Sequence, residues 1–325
     1  MAPPPPHLVH TSRSLEETSA LWYPLIHTLG WNRSRLDGPM HYHAAQDGET
    51  WLLVTLQPES ESATQAEVST PQGCILALAY PNGTGWIGFF LMNSAQRGNG
   101  LGAALWKGMD AIWQENGTQI IGLDGVEEQV PTYRRRGFVD VGRIPLMVCS
   151  AEGIKGLRSE DDAVPEGKFG DFREVDRGEV ARLDRELTGL DRTKYWVSSN
   201  LLEREDVFGF TYSSASNEDL VGFVLVRGCV EGHRIGPLFA PSSAIAAHLL
   251  QLVMRHSSIT ASTGSLIAEV FGSNEQAKGV FEKLGWTDAG VEYHRMWYKG
   301  KMPEAQQEGG LGTKGMFAVF DAACG

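Results

Sequence analysis

Between residues 73 and 137 the apolar positions change from continuous runs to a helical stripe and back, and each change predicts an element. Gly73 to Tyr80 is apolar, Pro81 to Gly85 is a turn sequence, and Trp86 to Met92 is apolar again, a strand-turn-strand pattern. Leu101, Ala104, Leu105, Gly108, Met109, Ile112 and Trp113 recur at i, i+3, i+4, i+7, i+8, i+11 and i+12, which predicts an amphipathic helix ending near Asn116 and Gly117. Ile120, Ile121 and Leu123 predict a short buried strand. Glu127 to Arg136 predicts a second helix, short because Pro131 must lie in its first turn. Its three closing arginines sit where the helix dipole favours cations, and Gly137 stops it.

The same order is legible a second time. Leu220 to Gly228 and His233 to Phe239 predict strands, Ile245, Leu249, Leu252 and Val253 a helical stripe, and Leu266 to Phe271 a strand. Asn274 is the expected cap of a helix that stops at Gly285. Ile87-Gly88 against Ile235-Gly236, Tyr133 against Phe281, and Gly137-Phe138 against Gly285-Trp286 share one offset: 235 − 87, 281 − 133 and 285 − 137 are each 148. The chain reads as one unit written twice. Ser150 to Asp171, rich in Gly, Glu, Asp and Ser, separates the copies. This gives an expected first domain over 1–150, a linker over 151–171 and a second domain over 172–325. Lys301 to Gly315 is a further loose stretch, and the apolar Met316 to Phe320 after it predicts a docked strand.

Composition narrows the function. The 325 residues suffice for about two domains at roughly 150 each, and 42% apolar with 21% charged is enough to bury a core in both. Forty acids against 28 bases give a net charge of −12, the wrong sign for tracking phosphate backbones, so nucleic acid is not an expected partner. No window holds 18 uninterrupted apolar residues, and Met1 to His10 lacks the basic start and apolar core of a signal peptide. Neither membrane nor secretion is expected. Cys74, Cys149, Cys229 and Cys324 lie far apart with no Cys-x-x-Cys, which suggests neither zinc nor disulfides and points to reduced thiols in the cytoplasm.

Gln96-Arg97-Gly98-Asn99-Gly100-Leu101-Gly102-Ala103 lies between an apolar strand and the first turn of the predicted helix. Glycines there permit positive φ and close approach, and free amides at a helix N-terminus form an anion site suited to a pyrophosphate. Two ligand classes use such a loop. Gly98-x-Gly100-x-x-Ala103 satisfies the dinucleotide fingerprint, with Asp124 where a ribose-binding acid would stand. Arg97-x-x-Gly100-x-Gly102 preceded by Gln96 instead resembles the acyl-coenzyme A (acyl-CoA) signature of the GNAT superfamily of N-acetyltransferases. Tyr133 with Gly137-Phe138 resembles the end of that family's last helix, and Asn274, Ala277, Phe281, Gly285 and Trp286 resemble it again in the second copy. A β-meander before the loop, in place of a first βαβ strand, favours the second reading.

The resemblance implies two tandem GNAT-like domains of α/β (α+β) class, each a mixed, mostly antiparallel sheet flanked by helices. It implies acetyl-CoA as cosubstrate, held along Leu91, Met92 and Asn93 and by Arg97, Gly98, Asn99, Gly100, Leu101, Gly102 and Ala103, and it places Tyr133 beside the leaving sulfur. Many family members carry a glutamate on the strand before the loop as a base acting through water, but Trp86 to Met92 holds no acid. Asp124 is the leading replacement, with capping of the next helix as its rival role. At offset 148 the loop faces Ile245 to Leu250, which contain no glycine, and Phe281 replaces Tyr133, so the second copy is expected to be non-catalytic. Leu190-Asp191-Arg192 resembles a Gly-x-Asp-Arg-like element of bacterial tandem members, or is a surface salt bridge.

The remaining polar candidates read more simply. His41 and His43 would share a face of a strand as base or metal ligands, but no third ligand is evident and they are expected to be structural or surface residues. Glu127 and Glu128 read as a solvated helix start, and Arg134 to Arg136 as a solvated last turn with one arginine in reach of a ribose phosphate. The acidic balance favours a cationic acceptor, a small-molecule amine. Protein lysine or N-terminal acetylation, a non-catalytic acyl-CoA-binding or sensing module, and an NAD(P)-dependent oxidoreductase stand as alternatives.

Overall fold

The computed structural model describes residues 4–57, 70–156, 165–216 and 219–325. Its contacts divide into two compact units, Met1–Ile121 and Gly122–Gly325.

In the first unit β1 (His7–Thr11), β2 (Trp51–Leu56), β3 (Pro71–Ala79) and β4 (Thr84–Met92) form an antiparallel meander. Helices α1 (Leu15–Thr28) and α2 (Asp37–Ala44) intervene between β1 and β2. Ser14 starts α1 by accepting the Glu17 amide at 3.2 Å, while the Glu17 carboxylate reaches back to the Arg13 amide at 2.8 Å. Helix α3 (Leu101–Glu115) buries Leu101, Leu105, Met109, Ile112 and Trp113 of the predicted stripe and Trp106 besides, with Ala104 and Gly108 half-buried, and is followed by Gly117 at φ +63°. His41 and His43 are not on a strand. They belong to α2, where residues two apart point to different sides, and His41 is fully buried while His43 meets Asp47 at 3.3 Å.

The second unit holds most of β5 (Ile120–Val126), then α4 (Val130–Arg135), β6 (Phe138–Cys149), β7 (Lys168–Asp171) and α5 (Arg177–Thr188). Strands β8 (Val207–Ser213), β9 (Leu220–Gly228) and β10 (His233–Phe239) follow. After them come α6 (Ser243–Arg255), β11 (Leu266–Glu269), α7 (Ala277–Lys283), β12 (Thr287–Tyr298) and β13 (Met316–Ala318). Strand order is β5-β12-β6-β11-β10-β9-β8-β7, with β13 also on β10. Both units realise the expected mixed α/β arrangement; in this order β10 with β11 is the parallel pair and the other neighbouring strands, with β13 on β10, pair antiparallel.

The repeats are threaded through each other. Strand β12, which ends the second repeat, lies between β5 and β6 of the first, and β6 pairs on its other side with β11. The compact units consequently divide inside β5, a different place from the junction of the repeats in sequence. Residues grouped with the linker on composition include secondary structure: a helical turn at Ala151–Lys155 and strand β7. Residues 157–164 of the loose stretch lie outside the described residues. The tail docks as expected, β13 running antiparallel to β10.

Arginine–carboxylate pairs lie buried in this unit. Arg192 meets Asp184 through two nitrogens, Arg227 meets Asp321 at 3.1 Å, and Arg234 meets Glu269 at 2.6 Å. Arg192 is 1% exposed, so it forms a core ion pair rather than a surface one. Asn274 is not the cap of α7: that place falls to Gln276, whose amide Asn274 accepts at 3.1 Å while its own amide group donates to the carbonyls of Met316 and Lys314.

Candidate cofactor and acyl-transfer sites

In the first unit the turn from β4 into α3 is built by short-range bonds. Asn93 opens a 3-10 turn, Ser94–Gln96, by accepting the Ala95 amide at 3.2 Å, and its side-chain amide donates to Gln72 Oε1 at 3.2 Å. Arg97 Nε reaches back to the Met92 carbonyl at 3.4 Å with the residue exposed, and Asn99 donates to Gln96 Oε1 at 3.2 Å. Gly98 and Gly100 take φ +83° and +84°, a region where a side chain would cost strain. Gly100 is the N-cap of α3 and has no side chain to cap it; the Ala103 amide turns to the Gly100 carbonyl at 3.0 Å, and the Leu101 and Gly102 amides stand at the positive end of the helix dipole, where an external acceptor would meet them. Pro4 lies beside it: a Cβ on Gly100 would come within 3.1 Å of the proline. Gly102 has a packing reason as well, since a Cβ there would stand 3.1 Å from Phe90 Cζ. Leu91 and Met92 thus end β4, Asn93, Arg97, Gly98, Asn99 and Gly100 form the turn, and Leu101, Gly102 and Ala103 begin α3.

The strand feeding this turn is irregular. Register between β3 and β4 shifts between Cys74 and Leu76, and Phe89 in the bulge has φ +43°, a strained value for a non-glycine residue. Phe89 is boxed by Trp51, stacked at 5.7 Å, by Trp22 at 5.3 Å, by His41 edge-on at 5.0 Å and by the Arg33 guanidinium at 5.2 Å. Burial in this core pushes the neighbouring Cys74 thiol up to about 12. Sequence reasoning missed the bulge; the one trace of it is that Gly85 to Met92 shows no inside-outside alternation.

In the second unit Tyr133 sits on α4, buried, with its ring against β5 at Gly125, where a Cβ would lie only 2.7 Å from Tyr133 Cε2. Burial pushes its phenol up to about 12. Asp124 is the preceding residue on β5, so it points to the other face of the strand. There both carboxylate oxygens are taken by Arg295 of β12, Nε to Oδ1 at 2.9 Å and Nη2 to Oδ2 at 2.6 Å, and Arg295 also donates to Gln306 Oε1 at 3.0 Å. Burial pushes the Asp124 carboxyl up, with Glu269 and Asp321 adding to that, while Arg295 pulls against it. Tyr133 and Asp124 are therefore not brought together.

The neighbouring charges are also paired. On β12, His294 is held by Asp140 at 2.8 Å and by Glu127; Asp140 in turn accepts from Arg134 at 3.1 Å and Arg143 at 2.7 Å. Glu127 and Glu128 begin a 3-10 turn, and no group of three His, Cys, Asp or Glu able to hold a metal ion occurs among the described residues.

The corresponding turn of the second repeat is shorter. Only Ala240, Pro241 and Ser242 join β10 to α6, and Ser242 caps the helix by accepting the Ile245 amide at 3.4 Å. Helix α6 begins at 243 against 101 for α3, an offset of 142 rather than 148. The stretch between α6 and β11, residues 256–265, is longer than its counterpart, 116–119, and brings the offset back to 146 where β11 starts against β5. Ile245 to Leu250 are therefore helix interior and do not correspond to the loop, which is absent rather than substituted.

A family profile described as an acetyltransferase (GNAT) domain matches residues 180–309. Holothin acyltransferase from a Pseudoalteromonas strain is 26% identical over 187 residues, 57% of this chain, and the match spans 58% of the length of that relative. An uncharacterised protein of Caenorhabditis elegans is 23% identical over 244 residues, 71% of each chain. Among solved structures, a Pyrococcus horikoshii protein solved as a candidate acetyltransferase superposes with a TM-score of 0.70 at 17% identity, covering 98% of this chain and 96% of that one. A tandem GNAT protein from the clavulanic acid biosynthesis pathway superposes with a TM-score of 0.60 at 14% identity, covering 90% and 98%. The antiparallel meander ahead of the loop and the capture of Asp124 by Arg295 do not fit a dinucleotide fold.

Proposed function

We propose that this chain, whose residues 180–309 match an acetyltransferase (GNAT) domain and whose fold is similar to that of a tandem GNAT protein, is an N-acetyltransferase moving acetyl directly from acetyl-CoA to the primary amine of a small molecule in the cytoplasm. The observation that carries the reading is the uncapped, glycine-lined start of α3, whose amides suit the pyrophosphate of the cosubstrate. In this reading residues 1–150 form the cofactor-binding repeat and 172–325 a non-catalytic one, which lacks both the loop and the tyrosine hydroxyl.

The reaction joins the amine nitrogen to the acyl carbon and breaks the carbon–sulfur bond. An alkylammonium ion gives up two protons in the course of it, one to solvent and one that ends on the departing sulfur. Tyr133 serves the sulfur. With its phenol near 12 and a thiol near 8.5, full transfer from the phenol would be uphill by about 5 kcal/mol, so a hydrogen bond to the developing thiolate is its stronger contribution. Asp124 holds Arg295 in place of taking the ammonium proton.

A panel of amines, from amino acids through polyamines to peptides, incubated with acetyl-CoA and scored for free thiol tests the proposal. Thiol release with a small primary amine is expected. Release confined to peptides would move the acceptor to protein, and release with no amine while acetyl-CoA still binds would leave a sensing module.

A further inference from the structure

The sheet of the second unit opens a gap inside the second repeat, and the chain closes it with its own tail. Strands β10 and β11 pair in parallel only over His233–Leu266, Arg234–Ile267 and Ile235–Ala268. Beyond Ile235 the register of β10 against β9 shifts, as β4 shifts against β3 in the first repeat, and the facing main-chain groups of β10 and β11 must find other partners. Residues 315–319 supply them. On one side Leu238 faces Ala318, Phe239 faces Met316, and the Ala240 amide donates to the Gly315 carbonyl at 2.9 Å. On the other, the Val319 amide donates to the Glu269 carbonyl at 2.9 Å and the Phe271 amide to the Phe317 carbonyl at 3.2 Å.

Counted from the Ile-Gly marker, Phe239, Ala240 and Pro241 are the counterparts of Leu91, Met92 and Asn93, along which the pantetheine arm is placed in the first repeat. None of the three is open: Phe239 is paired, the Ala240 amide is used, and Pro241 has no amide to give. We infer that residues 315–320 are a built-in occupant of the second repeat's cofactor slot, making there the main-chain contacts that the acyl-CoA arm makes along β4. The inference rests on the acyl-CoA reading of the first repeat.

The occupant is fastened, so the slot is closed rather than gated. Asp321 accepts from Arg227 at 3.1 Å, Arg227 also donates to the Phe320 carbonyl at 3.1 Å, and its guanidinium lies 4.5 Å from the Phe320 ring centroid. The Ala322 amide donates to Glu269 Oε2 at 2.7 Å while Arg234 holds the other oxygen. Withdrawing the tail would leave Arg227 charged in the core without its carboxylate.

Hydrogen exchange on the full chain, with and without acetyl-CoA, tests this alongside binding stoichiometry measured with radiolabelled acetyl-CoA. One equivalent per chain is expected for the wild type and none for Gly100→Glu, with amides in 236–241, 269–271 and 315–320 equally protected in all samples. An equivalent retained by Gly100→Glu, together with acetyl-CoA-dependent protection in those segments, would overturn the inference. Val319→Pro removes the amide given to Glu269 and should speed exchange at Ala240 and Phe271 at least tenfold while α3 is unchanged; wild-type rates there would equally overturn it. Should that variant not fold, Asp321→Asn reads the same amides. A wild type that binds no acetyl-CoA refutes the cofactor reading of the first repeat, and with it the name given to the slot.

Discussion

The turns into α3 and α6 start equivalent helices and end with opposite chemistry. The first spends eight residues, two of them glycines at positive φ, and leaves the helix amides uncapped. The second spends three and satisfies its helix with the Ser242 hydroxyl. A helix N-terminus offers free amides to an anion where no side chain caps it, and the shorter turn of the second repeat gives them a cap instead.

The largest expected effect tests whether the Asp124 carboxylate is structural. Asp124→Asn strands Arg295 in the core and should lower stability by about 3–5 kcal/mol in urea unfolding. Unchanged stability with loss of the acid limb of the rate profile would make Asp124 the base after all. Next, a carboxylate placed at each helix start should act differently. Gly100→Glu combines backbone strain of order 1–2 kcal/mol with repulsion of the pyrophosphate, and should raise the acetyl-CoA Kd about a hundredfold, ~2.7 kcal/mol, by calorimetry. Ser242→Asp should leave that Kd where it was, and a comparable loss would erase the contrast.

Tyr133→Phe should cut kcat roughly tenfold to a hundredfold with little change in acetyl-CoA affinity, whereas Phe281→Tyr should not alter turnover. Burial also sets an alkaline limit on stability. Cys74 and Cys149 are pushed from 9.0 up to about 12 and about 11, and Tyr133 from 10.0 to about 12. The unfolded chain loses these protons first, so their contribution is intact below pH 9 and drains away as pH rises through 12. Urea unfolding at stepped pH should show the fall, and Cys74→Ala should flatten it; equal slopes would show the thiol ionises freely when folded. The smallest change is Ser242→Ala, about 1 kcal/mol for one helix cap, read by thermal unfolding.

How much was legible varies by element. The stripe of α3, strands β9 and β10 and the docked β13 follow from local period alone, and so did the loop, because glycines at a strand-to-helix junction have a local cause. His41 and His43 were misplaced because alternation over three residues suits a strand or a helix equally when their surroundings are not known. The equivalence of 97–102 with 245–250 failed because two length changes cancel between markers, which a constant offset conceals. The bulge at Phe89 left only the missing alternation over Gly85 to Met92, which a fully buried strand shows equally, and the partners of Asp124 left no readable trace.

The sequence by itself determined the repeat, the element order, the glycine loop and its loss from the second copy, since each depends on neighbours along the chain. Tertiary structure alone decided that β12 would stand between β5 and β6, that Asp124 would be spent on Arg295, and that the tail would fill the gap between β10 and β11. Those outcomes depend on which distant main-chain and charged groups are left without partners once the sheet forms, and burial makes an unpartnered group costly wherever it lies in the chain.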